Sequence, residues 1–364
     1  MINDYLIPIS DSLKDFALNQ DDLFSLGKKI KFDFIENSIS DKVVLIGICS
    51  TGKSVDKLNS FRKEFYKLKF GDWHSEVFDL GNFLQGNSEQ DSIFAIKEIC
   101  DYLLVQKNTR IILVGDQTKQ INWQHYALGE NKFLKITNID SKIPIGNLNL
   151  PLSLENYLGK LFESDLKIYN YNHIGYQSYY VSYKELELLD QLNFCYYRLG
   201  EVYEKIEYFL PTLQNSNSVS INLRAISNYN GLGSFNNGNG FSNREICNLS
   251  YFAGLSSELN TFGLYNFSEN KVNSLENELV GQMLWYFIEG FNNKQEEVFE
   301  INNQIEKYSL PFQKKNIVFF KNKINNKWWA KIGENIEVFP CSLQDYEEAV
   351  NNNFTKRIKV YLKK

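Results

Sequence analysis

Short apolar runs with no polar interruption recur along the chain, separated by stretches with helical spacing. Val43-Val44-Leu45-Ile46-Gly47-Ile48 and Ile111-Ile112-Leu113-Val114 show no alternation of apolar and polar positions. Such runs predict strands buried on both faces, as in a parallel sheet between helices. Residues 133–140, 166–175, 218–224 and 261–267 read as further strands, and 77–82 as a short strand with its loop. Helical periodicity runs through 55–68, 93–105, 120–128, 184–209 and 275–291. In the second of these, Phe94, Ile96, Ile99, Leu103 and Leu104 form a core-facing stripe. Ser242, with Glu245 three residues on, predicts a capped helix from Asn243. The alternation of strand and helix predicts a three-layer α/β/α fold with a mostly parallel sheet.

After about residue 305 the texture changes. Residues 317–320 and 327–332 flank an Asn-rich turn and predict a β-hairpin, followed by a helix near 343–350 and a basic tail. The expected organisation is an α/β domain over 1–304, wrapped by its first 40 residues, and a C-terminal extension over 305–364. The closing cations Lys356, Arg357, Lys359, Lys363 and Lys364 are expected to be solvated.

Composition narrows the function. A formal net charge of -5 over 364 residues lacks the basic face of a nucleic-acid binder. No apolar span is long enough for a bilayer, and the N-terminus shows no secretory pattern. Cys49, Cys100, Cys195, Cys247 and Cys341 include no C-x-x-C pair, so buried inert thiols and a cytoplasmic location are expected. Aromatic residues make up 15% of the chain, which suggests broad contact surfaces, Trp328-Trp329 among them.

Two strand ends carry candidate chemistry. The first run continues through Gly47 to Gly52-Lys53-Ser54 with the spacing of a nucleotide phosphate loop. The second ends in Gly115-Asp116-Gln117-Thr118, and chemistry in open α/β sheets collects beyond such carboxyl ends. His74, His125 and His173 are far apart in sequence and are expected to be structural.

Taken together the strand ends resemble the ureohydrolases: arginase, agmatinase and formimidoylglutamase. Val77-Phe78-Asp79-Leu80-Gly81-Asn82 is similar to the early D-L-G stretch, and Leu113-Val114-Gly115-Asp116-Gln117-Thr118 to G-G-D-H-S. Residues 138–144 fall where D-A-H-x-D belongs, His173-Ile174-Gly175 resembles H-I-G, and 218–224 occupy the place of S-x-D-x-D. Gly240 to Glu245 resembles the G-L-x-x-R-E helix start, 263–270 the G-x-D-x-V-E-x-N segment, and 279–287 the closing helix. The resemblance implies an arginase-like fold with a two-manganese site at the strand ends.

Carried over residue by residue, it implies that the ligands are replaced. Gln117 stands for a histidine; Asp140 remains; Lys142 and Pro144 stand for a histidine and an aspartate. A shifted register would instead leave Asn138, Asp140 and Lys142. Asn222 and Arg224 take the places of two aspartates, and Ser268 that of a late glutamate beside Glu269. Asp116, His173 and Ser268 are further pocket candidates. Two manganese ions need several carboxylates and imidazoles, so the expected protein is a catalytically inactive one, without cofactor, that binds a protein partner or a second copy of itself. Arg224 and Lys142 are expected to pair with Asp116 and Asp140, or to face solvent. The alternatives are a manganese-dependent hydrolase of linear amidines and a nucleotide-binding protein using Gly47–Ser54.

Overall fold

Each unbroken apolar run becomes a strand that is buried along its whole length. The computed structural model describes residues 2–34, 40–106, 108–129, 133–227, 238–267, 274–294, 304–313, 315–334 and 337–363. The order of elements begins β1 (Leu6–Ile7), α1 (Asp11–Leu18), β2 (Lys42–Cys49), α2 (Gly52–Lys67), β3 (Glu76–Leu84), α3 (Glu89–Leu104), β4 (Thr109–Gly115) and α4 (Gln120–Gly129). It continues with β5 (Leu134–Ile139), α5 (Tyr157–Glu163), β6 (Ile168–Tyr176), α6 (Tyr183–Gln191), β7 (Cys195–Arg198), α7 (Leu199–Glu204), α8 (Leu210–Gln214) and β8 (Ser218–Asn222). Then come α9 (Asn243–Gly254), β9 (Thr261–Tyr265), α10 (Ser274–Asn292), β10 (Ile305–Phe312), β11 (Lys315–Asn322), β12 (Trp328–Ile332), β13 (Phe339–Cys341), α11 (Leu343–Val350) and α12 (Lys356–Lys363).

Nine strands form one sheet in the order β1-β3-β2-β4-β9-β8-β5-β6-β7. All pairings are parallel except that of the two-residue edge strand β1 with β3. One face packs on α1, α2, α9 and α10, through residues such as Leu58, Phe65, Leu249, Met283 and Phe287. The other packs on α3, α4 and α5, through Ile96, Ile99, Trp123 and Leu158. Helices on both faces explain why β2, β4, β8 and β9 are buried at every position. In chain order β4 leads to β5, yet β9 and β8 lie between them in the sheet. This crossing brings the carboxyl ends of β4, β8 and β5 together.

The structure departs from the sequence expectation in four places. Residues 184–209 are mostly helical but not continuously so: α6 stops at Gln191, Asn193 takes a positive φ of 57°, and Cys195–Arg198 forms the edge strand β7 before α7. Asp79-Leu80-Gly81-Asn82 lies inside β3 rather than in a loop. The expected hairpin is the centre of a four-stranded antiparallel sheet, β10-β11-β12-β13. Its Trp328 and Trp329 are 7% and 8% exposed, and Trp328 stacks on Tyr346 at 5.0 Å, so they pack within their own sheet and helices. The basic tail is a helix, and its cations are not all solvated: on α12, Arg357 is buried with Ile358, Val360 and Tyr361, while Lys359 and Lys363 are exposed; Lys364 lies outside the described residues. No helix of the described residues is long and apolar enough to cross a membrane.

Candidate functional site

The centre of the strand-end site is Asp140, fully buried just past β5. Arg224, one turn beyond β8, approaches it with Nε 2.8 Å from Oδ1 and Nη2 2.8 Å from Oδ2. The Tyr157 hydroxyl of α5 donates to Oδ2 at 2.7 Å, and Asn222 Nδ2 at 3.0 Å. The Lys142 backbone N–H reaches Oδ1 at 3.3 Å. Every lone-pair direction of this carboxylate is therefore engaged. Around it, Asn138 Nδ2 donates to the Tyr157 oxygen at 3.0 Å, Ser220 Oγ donates to Asn138 Oδ1 at 2.8 Å, and Asn222 Nδ2 also meets Thr118 Oγ1 at 3.2 Å. A buried charge persists only when paired and hydrogen-bonded, and this network supplies both.

Ionisation follows from that geometry. Burial pushes the Asp140 carboxyl up, but the Arg224 guanidinium and its hydrogen bonds outweigh it and hold the group below the usual carboxylate range. Burial alone would weaken the Arg224 charge; Asp140 reverses this and raises its pKa. His173, on β6, is fully buried. Burial lowers its pKa to about 4 against the pull of the Asp140 charge, so it is neutral at pH 7. Its Nε2 lies 3.1 Å from the Asp140 carbonyl oxygen and must carry the proton, while Nδ1 accepts from the Tyr171 hydroxyl at 3.0 Å. Gly175 follows with φ +95°, and a Cβ there would meet the Phe241 ring at 2.4 Å. Glycine is thus required where the chain turns out of the site.

Asp116 forms a second, separate cluster. Its carboxylate accepts the Ser50 N–H at 3.0 Å, the Ser50 hydroxyl, the Ser54 hydroxyl and Gln120 Nε2 at 2.7 Å. Neither Arg224 nor Lys142 is among these partners, contrary to expectation. The phosphate-loop pattern takes another form as well. Gly47, Ile48 and Cys49 remain in β2, paired with β3 on one side, and α2 starts at Gly52. Only Ser50 and Thr51 are left between strand and helix, and the Asp116 carboxylate already takes the Ser50 amide. That leaves one donor fewer for an anion-binding nest.

The remaining candidates are scattered. The Lys142 side chain turns away from Asp140, with Nζ 3.9 Å from Glu155 and 5.6 Å over the Tyr180 ring. The Pro144 carbonyl accepts from the N–H groups of Leu158 and Gly159 at 3.1 and 3.3 Å, which anchors the start of α5. The Gln117 N–H is capped by Gln120 Oε1 at 3.0 Å. Ser268 lies outside the described residues, as do 228–237 of the Gly/Asn-rich loop. Sequence reasoning missed Tyr157, which reaches Asp140 from a helix 17 positions on and carries no motif. It also missed fully buried Arg62, whose Nε donates to Asp79 Oδ2 at 2.7 Å and whose Nη1 donates to Asn82 Oδ1 at 2.8 Å. A charged residue on the inner stripe of α2, facing an aspartate on β3, was the available signal.

Among the described residues one His–Ser contact exists. His125 Nδ1 lies 3.0 Å from Ser218 Oγ, but both residues are fully buried and Nε2 has no partner. Among the described residues no carboxylate orients this imidazole, so they form no hydrolytic triad.

The two-manganese centre implied by the resemblance does not fit these residues. The matched positions hold an amide, a carboxylate already bound at both oxygens by a guanidinium, a lysine, a proline whose tertiary amide nitrogen offers no lone pair, and a second amide whose N–H2 faces that carboxylate. Among the described residues no three His, Cys, Asp or Glu side chains are grouped to hold a metal ion.

No protein-family model and no curated protein matches the sequence. Solved structures do. The chain is similar to a formiminoglutamase of Trypanosoma cruzi solved with Mn2+, at 13% identity and a TM-score of 0.59, over 70% of this chain and 95% of that one. It is similar to the formimidoylglutamase of Bacillus subtilis at 11% identity and a TM-score of 0.62, over 78% and 99% of the two chains. The agmatine ureohydrolase of Thermoplasma volcanium matches at 16% identity and a TM-score of 0.55, over 69% and 90%. Likeness at such identities establishes architecture, and the architecture of this chain is the arginase-type α/β/α fold.

Proposed function

We propose that this chain is a catalytically inactive ureohydrolase-fold protein that serves as a protein-binding or scaffold component. The observation that carries the reading is the Asp140–Arg224 fork, with both contacts at 2.8 Å and Asp140 fully buried. The carboxylate best placed to bind a metal is held by the chain's own cation. Without a bound metal the fold has no means of making hydroxide at neutral pH by the ureohydrolase route.

A binding role draws support from the rim beside the closed strand ends. Tyr179, Tyr180 and Tyr183 are 64%, 39% and 72% exposed, and Tyr179 and Tyr180 meet edge to face at 4.6 Å. Exposed tyrosines held in place are favoured anchors for protein contacts. The partner in this reading is another protein or a second copy of the chain, met in the cytoplasm, and no cofactor takes part.

Manganese content after dialysis against the metal, together with release of urea, ammonia or formamide from arginine, agmatine and formiminoglutamate, tests the first half. The expected outcome is neither retained metal nor product above background. Stoichiometric manganese with turnover would overturn it in favour of a hydrolase. For the second half, proteins that co-purify with the wild type are compared with those of Tyr179→Ser/Tyr183→Ser. An unchanged set removes the tyrosine rim from the proposal.

A further inference from the structure

The turn between α2 and β3 forms an aromatic wall together with α10. Ring centres lie 4.8 Å apart for Phe70 and Trp73, 5.6 Å for Trp73 and Trp285, and 5.6 Å for Trp285 and Tyr286. The indoles are fixed: the Trp73 N–H donates to the Glu289 carboxylate, and that of Trp285 to the Lys69 carbonyl at 2.7 Å. Beside the wall stand Leu23 and Phe24, in the segment that follows α1. The backbone there is tied to the same turn, since the Phe24 carbonyl accepts from the Phe70 N–H at 2.8 Å and the Leu68 carbonyl from the Leu26 N–H at 2.7 Å. Leu23 and Phe24 are nonetheless 72% and 68% exposed, and Tyr286 39%, whereas Phe70, Trp73 and Trp285 are half-buried.

The chain thus carries an apolar knob next to a rigid aromatic wall. At about 150–250 Å² for a whole aromatic side chain, the six residues leave roughly 400 Å² of apolar surface in water, a size at which patches mark contact sites. This is about half of the ~800 Å² that each partner brings to a standard interface. Rings and backbone that are already ordered lose little freedom on contact, which favours association. Charges at the margin occur in opposite pairs, Asp22 with Lys69 at 3.2 Å and Glu64 with Lys67 at 2.9 Å. A two-fold interface brings each charge near its own copy, so a margin of one sign would repel while one of paired signs does not. Paired charges also offer little to anionic lipid, which is held by an unpaired basic rim.

From this arrangement we propose that the patch joins two copies of the chain about a two-fold axis, with Leu23 and Phe24 of one copy packing on Trp73, Trp285 and Tyr286 of the other. Knob and wall on a single surface are self-complementary, and an isologous contact of this kind closes at the dimer. The patch lies at the amino end of β3, while the tyrosine rim follows the carboxyl end of β6. The pairing therefore needs neither that rim nor an inactive site, and failure of one reading leaves the other standing.

Sedimentation velocity and light scattering on the full chain, between about 1 and 100 µM, test the pairing. The wild type is expected to reach the mass of two chains within that range. Leu23→Ser/Phe24→Ser and, separately, Tyr286→Arg should weaken the dimer at least about thirtyfold, the effect of one interface hot spot. Tyr179→Ser/Tyr183→Ser should leave it intact. Both patch variants should keep the wild-type circular dichroism, since the replaced side chains are exposed. A wild type that stays monomeric to about 100 µM overturns the proposal. A trimer, or a dimer that both patch variants leave intact, overturns it as well. Flotation of a monomer with phosphatidylcholine vesicles, abolished by Leu23→Ser/Phe24→Ser, would assign the patch to a lipid surface instead.

Discussion

Arg224 grips Asp140 at two points, Nε to Oδ1 and Nη2 to Oδ2, each 2.8 Å, across the gap between the ends of β8 and β5. Arg224 is 7% exposed and Asp140 fully buried, so neither charge has water to fall back on. Removing one partner of such a pair typically costs ~3–5 kcal/mol, because the other charge is left unpaired. Arg224→Ala is expected to lower unfolding stability by about that amount. Arg224→Lys keeps the charge but not the fork and should recover only part of the loss. With Asp140→Asn the double variant should lose less than the sum of the singles, since contacting residues couple. Urea unfolding of the four proteins measures this, and a strictly additive cycle would remove the pairing from the argument.

How much of this site was legible beforehand depended on distance along the chain. Order and spacing of the strand-end residues placed Asp140, Asn222 and Arg224 near one another, and the structure brings these three into direct contact. Lys142 stands two residues from Asp140, yet only its backbone reaches the carboxylate, because the chain leaves the sheet there and its side chain turns to Glu155 and Tyr180. Strand β7 was hidden by brevity: four residues, Cys195 to Arg198, show too little alternation to stand out from the helical pattern on both sides. α12 was hidden by charge. Lys356, Arg357 and Lys359 suggest solvent, while the stripe of Ile358, Val360 and Tyr361 that buries it becomes visible only once Arg357 has a partner.

The turn after β2 should not recognise nucleotides. Lys53 is exposed and a Cβ on Gly52 would meet open space, so neither is shaped around a phosphate. ATP and GTP, with or without magnesium, are expected to leave Tm unchanged, and Lys53→Ala to be neutral. Asp116→Ala is the contrasting variant. It strands the Ser50 N–H and the Ser54 hydroxyl, at about 1–3 kcal/mol for each buried group left unsatisfied. A nucleotide-dependent rise in Tm that Lys53→Ala abolishes would restore the phosphate-loop reading.

The last helix closes an exposed sheet edge. β7 is the terminal strand of the large sheet, and Lys356 at the start of α12 donates to its Tyr196 carbonyl at 2.7 Å. Arg357 joins the parts on either side: it pairs with Asp345 of α11 and donates to Thr212 Oγ1 at 2.9 Å and to the Tyr208 carbonyl at 2.7 Å. Uncovered edges invite intermolecular strand pairing. Deleting residues 356–364 is expected to lower stability and to produce concentration-dependent self-association, read by light scattering. Arg357→Ala should destabilise without freeing the edge to the same degree. A monodisperse deletion variant with wild-type Tm would show that the edge needs no cover.

Acid should weaken the fold before its carboxylates titrate, because two imidazoles are buried uncharged. Burial lowers His173 to about 4 and His125 to about 3, whereas an imidazole in the unfolded chain titrates near 6.5. Below about pH 6.5 the unfolded state therefore takes up protons that the folded state refuses, and stability falls as pH falls. The slope approaches about 1.4 kcal/mol per pH unit for each imidazole. The loss from His173 levels off near pH 4 and that from His125 near pH 3. Asp140 acts in a lower window: its depressed pKa contributes stability above the ordinary carboxylate range, which disappears only as pH drops through its folded value. Between pH 6.5 and about 5 the slope thus belongs to the histidines. Urea midpoints at pH 7, 6 and 5 should decline in the wild type and decline less in His125→Gln/His173→Gln. A wild-type midpoint that holds constant from pH 7 to pH 5 would mean that water reaches these rings and that the strand ends are open after all.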